Sequence, residues 1–249
     1  MIPKIIHYCW FGGKPLPQSA GKCIESWKEH CPGYEIRRWD ESNIDVSSCA
    51  YAREAYEAGK WAFVSDYARF LILYRYGGIY FDTDVELIRP IEDILERGPF
   101  MGLENNASGE VNPGLGLAAS AGHPLLRELL DEYESMHFIR EDGSVNFTTV
   151  VAHTTEVLQR HGETSSEKIK CVGDIYLYPS DYFCPFNYLT RQMKITENTR
   201  SIHHFAASWK RITWKAKLAN MIKKAAGPVI TQKILDFKAK RRARGKSLT

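Results

Sequence analysis

The sequence predicts an α/β protein, a mainly parallel sheet flanked by helices, with a basic helical appendage at the C-terminal end. Three observations predict it. Strand-like and helix-like segments alternate from Ile2 to Tyr178, the pattern that crossover connections between parallel strands produce. The length of 249 residues, with 44% apolar and 25% charged residues, suits one α/β domain plus an addition. The charge is also divided: from Lys210 onward there are 13 Lys/Arg and one acid, net +12, against −9 in the 209 residues before it. We therefore expect a catalytic or binding domain over residues 1–209 and a separate tail over residues 210–249.

Taken in order, Ile2 to Phe11 reads as a first buried strand, ended by Gly12-Gly13 and Pro15. Ligands of open α/β sheets bind beyond the carboxyl ends of strands, so Trp10 and its glycine turn belong beside a site. Trp10 reads equally as a core residue. Ser19 to His30 forms a helix, Pro32-Gly33 a turn, and Tyr34 to Asp40 a second strand. Asp40 to Ser48 is polar and loop-like, and Tyr51 to Ala58 is a helix stopped by Gly59. Phe63 to Tyr76 carries apolar residues at helical spacing, with Ser65 or Asp66 as cap and Gly77 as stop. Asp66 and Arg69 lie three apart on one face of that helix, either as a local ion pair or aimed into a cleft.

Gly77-Gly78-Ile79-Tyr80-Phe81-Asp82-Thr83-Asp84 follows. On a regular strand Asp82 and Asp84 share a face, and a carboxylate pair at a strand's end suits a hard divalent cation such as Mn²⁺ or Mg²⁺. Phe100 to Glu104 is a strand, Asn105 to Pro113 a loop, and Gly114 to Ser120 a small apolar segment against which something packs closely. His123-Pro124 opens a helix with Leu125, Leu126, Leu129, Leu130 and Tyr133 as its apolar stripe. Phe147 to Arg160 is another helix, Ile169 to Val172 and Ile175 to Tyr178 are late strands, and Ser180 to Asn187 is an aromatic-rich loop. In Ser201 to Trp209, His203 and His204 are adjacent, so on a strand only one of them reaches a given site.

The block Ser65-Asp66-x-x-Arg69 with Gly77-Gly78-Ile79-Tyr80-x-Asp82-x-Asp84 resembles the DXD sugar-binding region of family 32 glycosyltransferases, a group that includes bacterial capsular polysaccharide transferases. Its core is also similar to that of the large glucosylating cytotoxins. The resemblance implies a GT-A fold, a nucleotide-sugar donor, a divalent metal and transfer with retention of anomeric configuration. It further implies that Asp84, Asp82 and His203, with His204 as the alternative, hold the metal. By the same resemblance Trp10 stacks on the donor's base, and Ser208 and Trp209 bind its phosphates. Asp66, Arg69, Tyr80 and Asp82 bind the donor, Asp66, Arg69, Asp82 and Asp84 are the catalytic residues, and the loop bearing Asn112 faces the acceptor, a glycan or lipid-linked saccharide.

Other classes are weaker. A metal-dependent nucleotidyltransferase or phosphohydrolase would use the same carboxylates. The tail's charge suggests nucleic-acid binding, but no RNP, KH or zinc-finger signature accompanies it, so no nucleic acid is expected. Six cysteines without a C-x-x-C pair read as reduced, mostly buried thiols of a cytoplasmic protein. No secretory leader and no run of about 18 apolar residues is visible. Trp214, Leu218, Met221, Ile222 and Ala225 recur at helical spacing among lysines, so residues 210–249 either pack on the domain or lie on an anionic membrane surface.

Overall fold

Short apolar runs punctuated by glycine and proline become strands, and longer runs with a 3.6-residue period become the helices that cover them. The computed structural model describes residues 1–187 and 192–206; Ser208, Trp209 and the tail lie outside the described residues. The elements are β1 (Ile5–Cys9), α1 (Gln18–His30), β2 (Glu35–Trp39), α2 (Ala50–Glu57), α3 (Trp61–Tyr76), β3 (Gly78–Tyr80), β4 (Val85–Leu87), α4 (Glu92–Arg97), β5 (Phe100–Asn105), β6 (Glu110–Ala119), α5 (Pro124–Glu134), α6 (Val150–His161), β7 (Lys170–Val172), β8 (Ile175–Tyr178), α7 (Ser180–Phe183), β9 (Phe186–Asn187), β10 (Gln192–Met193) and β11 (Ser201–His203).

Seven strands form one sheet in the order β2-β1-β3-β6-β5-β8-β7. β1 is parallel to β2 and β3, and β5 is parallel to β8. β6 runs against both β3 and β5, and β7 against β8. Five strands therefore point one way and two the other. β11 pairs antiparallel with β4 in a separate two-stranded sheet, His203 opposite Val85. Residues 1–185 with 195–204 make one compact unit. Residues 186–194 with 205–249 make a second, whose described part is the β9–β10 ladder and a Phe186–Phe205 ring contact.

α3 is the central helix. Phe63, Val64, Tyr67, Phe70, Ile72 and Leu73 are buried in it, and so are Asp66 and Arg69. Burial all round marks a core helix rather than a surface one. It begins at Trp61, so Ser65 and Asp66 are interior residues and not caps: Ser65 Oγ donates back to Trp61 O at 3.1 Å. The cause is tertiary. Phe63 and Val64 are buried, and burying them extends the helix one turn towards its start. Its end is as the sequence predicts, with Gly77 at φ 62°. At Gly78 (φ 106°) a Cβ would stand 2.7 Å from Ile5 O and 2.8 Å from His7 Nε2, so only glycine lets β3 close onto β1.

His7, fully buried, ties this junction together. Its Nδ1 accepts from Trp39 Nε1–H at 2.9 Å, and Nε2 lies 2.9 Å from Gly77 O. Accepting at one nitrogen and donating at the other requires the neutral ring. Burial, opposed by the Gly77 hydrogen bond, brings its pKa down to about 4.

Two more expectations are corrected. Asp82 and Asp84 do not sit on a regular strand: β3 stops at Tyr80, and the pair lies on a turn closed by Val85 N–H to Asp82 O at 3.0 Å. Asn112 and Pro113 are not in a loop but within β6. The register there jumps from Met101↔Leu117 to Gly102↔Asn112, so residues 113–116 arch away from β5. Proline can occupy a strand at such a break because no ladder hydrogen bond is asked of it. The stretch from Ser180 also carries the short helix α7 and strand β9 rather than a plain loop.

Candidate active site

The site gathers where β3 exits the sheet, beside the exit of β1, with which it is parallel. The turn at Asp82 to Asp84 supplies two carboxylates, and β11, paired to β4 one residue beyond that turn, supplies His203. One ligand atom each from Asp82, Asp84 and His203 fall within 4.8 Å of one another. His203 Nε2 stands 3.2 Å from Asp84 Oδ1. Burial acts to lower the His203 pKa, but the hydrogen bond to Asp84 and the charges of Asp84, Asp82 and Glu104 outweigh it and raise the value. His204 points elsewhere. Its backbone N–H donates to Asp84 O at 3.0 Å, while its exposed ring meets Glu86 Oε2 at 2.8 Å. Strand alternation thus separates the two histidines.

α3 supplies the second half. Arg69 Nη2 donates to Asp66 Oδ1 at 2.8 Å, Nε donates to Ser65 O at 3.1 Å, and Nη1 stands 3.3 Å from Asp82 Oδ1. The guanidinium also lies over the Tyr80 ring, 4.8 Å from its centroid, and Tyr80 O–H donates to Asp82 Oδ1 at 3.1 Å. Burial pushes the Asp66 carboxyl up to about 7; Arg69 opposes this and Asp82 adds to it. Burial alone would lower the pKa of Arg69, but Asp82, Tyr80 and Asp66 together raise it. The side chain is a fixed cation held between two acids.

β6 forms the opposite wall. Gly114 O accepts from Asp82 N–H at 3.0 Å, and Gly114 N–H donates to Asn112 Oδ1 at 2.8 Å. A Cβ on Gly114 would collide with Asp82 Oδ2. The glycine therefore makes room for a site carboxylate. Asn112 is buried, and its Nδ2–H donates to Glu104 Oε2 at 2.8 Å. Trp10 is half-buried on the β1 exit turn, its indole N–H donating to Lys14 O at 2.6 Å. No hydrogen bond or ion pair ties it to the carboxylates among the described residues. The indole of Trp61 packs on the same turn, where a Gly12 Cβ would meet it at 2.6 Å. Ser208 and Trp209 lie outside the described residues.

Residues 17–101 match the model described as the glycosyltransferase sugar-binding region containing a DXD motif. The chain is a glycosyltransferase. An uncharacterised glycosyltransferase, L373, of Acanthamoeba polyphaga mimivirus is 29% identical over 75% of the chain and 74% of its own length. Inositol phosphoceramide mannosyltransferase 1 of Schizosaccharomyces pombe is 26% identical over 59% of the chain, which spans 46% of that relative. The solved structure of PaToxG glycosyltransferase superposes with a TM-score of 0.50 at 20% identity, covering 64% of this chain and 69% of that one. That likeness shows a shared GT-A fold.

Two residues of this glycosyltransferase's site escape the sequence reading, Gly114 and Glu104. The close packing expected against Gly114 to Ser120 is met at Gly114, but the sequence does not name Asp82 as what packs there. Glu104 reads as the last residue of a strand; what places it at the site is the break in pairing between β5 and β6.

Proposed function

We propose that the chain moves a sugar from a nucleotide-sugar donor, UDP- in preference to GDP-linked, onto a glycan or lipid-linked saccharide in surface or capsular polysaccharide synthesis, with a divalent cation and retention of configuration. One observation carries this reading: Asp82, Asp84 and His203 converge within 4.8 Å, beside the buried Arg69–Asp66 pair. Two carboxylates and an imidazole are a donor set that suits Mn²⁺ or Mg²⁺ alongside phosphate oxygens. When bound there, the ion supplies Lewis acidity to the diphosphate.

The chain's own groups supply the rest. Arg69 holds positive charge at the site without being able to lose its proton. Tyr80 and Arg69 fix Asp82 in orientation. Asp66 and Arg69 offer an acceptor and donors to sugar hydroxyls, and a buried site of that kind rejects an epimer that leaves one of them unpaired. Ser208 and Trp209 keep, within this proposal, the phosphate-binding role that the resemblance implies.

Lipid-linked acceptors are supported by the likeness to a protein named as an inositol phosphoceramide mannosyltransferase. No helix among the described residues is long and apolar enough to cross a membrane. The basic residues 210–249 would then bring the chain to an anionic surface on the cytoplasmic side.

The test is product analysis after incubation with UDP- and GDP-sugars and Mn²⁺. Free nucleoside diphosphate should form, and chelation should abolish it. Asp84→Ala, shown to be folded by circular dichroism, should lose roughly 10²–10⁴ in rate. Near-normal turnover in that variant removes the metal from the proposal, and release of sugar phosphate with nucleoside monophosphate replaces transfer by hydrolysis.

A further inference from the structure

The acids at this site are not all alike. Asp66 is paired with Arg69, and Asp82 and Asp84 converge with His203. Glu104 has no cation partner among the described residues; its one hydrogen bond comes from the neutral amide of Asn112. It is half-buried, and that amide accounts for Oε2 alone.

Its placement is specific. Glu104 lies at a break in the β5–β6 register, between Leu103 and Asn105, and a bulge re-aims the side chain it carries. From its carboxylate an unbroken path leads to the turn at Asp82. Glu104 Oε2 accepts from Asn112 Nδ2–H, Asn112 Oδ1 from Gly114 N–H, and Gly114 O from Asp82 N–H, over 2.8, 2.8 and 3.0 Å. Its charge is also felt at His203. The carboxylate is therefore locked in place on the wall facing the groups that would hold a diphosphate, with Oε1 left over. An ionised carboxylate only accepts, so what it meets there must donate. The donating groups that a nucleotide-sugar brings next to its own diphosphate are hydroxyls, those of the transferred sugar on one side and of the ribose on the other, and the bare nucleoside diphosphate, which carries only the ribose, tells the two apart.

We infer that Glu104, oriented by Asn112, accepts a hydrogen bond from a hydroxyl of the donor sugar and so helps decide which sugar is held. The inference rests on the nucleotide-sugar reading above. A site built to bind a hydroxyl discriminates strongly against a sugar that presents it wrongly, because the carboxylate is then left unpaired.

The experiment compares the wild type with Glu104→Gln by titration calorimetry in Mn²⁺, using UDP, GDP and a panel of their hexose conjugates. Glutamine keeps an oxygen for Asn112, so the wall should stand, and equal melting temperatures check it. The variant should bind the bare nucleoside diphosphate as the wild type does. The gain in affinity from the preferred sugar should fall about tenfold or more, and the preference among epimers should flatten. The assignment is overturned if the gain and the preference survive, if bare nucleotide binding falls in step, or if the wild type gains nothing from any sugar. Failure of the underlying reading looks different: the wild type then binds neither nucleotide with Mn²⁺.

Discussion

Gly114→Ala should disable the site while leaving the fold in place. The φ of Gly114 is outside the left-handed region, so alanine is acceptable to the backbone. Its Cβ, however, would occupy the space of Asp82 Oδ2 and would sit 3.0 Å from Asn112 Oδ1. Asp82 must turn away, and with it go the Tyr80 hydrogen bond at 3.1 Å and the Arg69 contact at 3.3 Å. A shift of about 1 Å at reacting groups costs on the order of 10²-fold in rate, about 2.7 kcal/mol of barrier. Stability should fall less. Arg69 keeps Asp66, and the Asp82 carboxylate is 30% exposed, so about 1–2 kcal/mol is lost, a few degrees in Tm. The assay is nucleoside diphosphate release from the best sugar nucleotide with saturating Mn²⁺, beside a thermal melt. If Gly114→Ala turns over at the wild-type rate with an unchanged melt, Asp82 does not need its observed position and the site is misread.

Three further outcomes are expected. His203→Ala should weaken Mn²⁺ binding, followed by electron paramagnetic resonance, at least tenfold, whereas His204→Ala should change it less than threefold, because the His204 ring faces Glu86. Stability should decline as pH falls from about 6.5 towards 4, since His7 is held neutral when folded and the unfolded chain binds the extra proton over that window; Arg37 and Glu35 on β2 and the Gly77 carbonyl are the groups it faces. The full effect is about 3 kcal/mol, and His7→Asn, measured by denaturant titration across the window, should show a flatter slope than the wild type. Removing residues 210–249 should abolish co-sedimentation with anionic vesicles, and an intact chain that ignores such vesicles rules out membrane docking.

The sheet was legible because its first strands are short runs set off by Gly12-Gly13 after β1, Pro32-Gly33 before β2 and Gly77-Gly78 at the start of β3, and the helices because stripes such as Leu125, Leu126, Leu129, Leu130 and Tyr133 are all buried. Local signals misled where tertiary packing decides. Ser65 and Asp66 look like caps, yet the burial of Phe63 and Val64 moves the helix start past them. Asp82-x-Asp84 looks like a strand pair, yet the two carboxylates converge through a turn. The pairing of Asp66 with Arg69 could be read from helical spacing and their place beside Asp82 from the family resemblance, but Glu104 and the partner of Gly114 could not. Their positions follow from a slip in pairing between β5 and β6, and such slips leave no periodic trace in a single chain.

The pairing of β11 with β4 has a bearing on how the enzyme comes into being. His203 and Asp84 are brought together across 119 positions of chain. During synthesis the acidic turn emerges long before its imidazole partner, so a nascent polypeptide carries half an ion site and gains the other half late. If the proposed cation binds there, its full grip waits for β11 to pair with β4, and a product cut short before Ser201 would offer it two carboxylates without the imidazole.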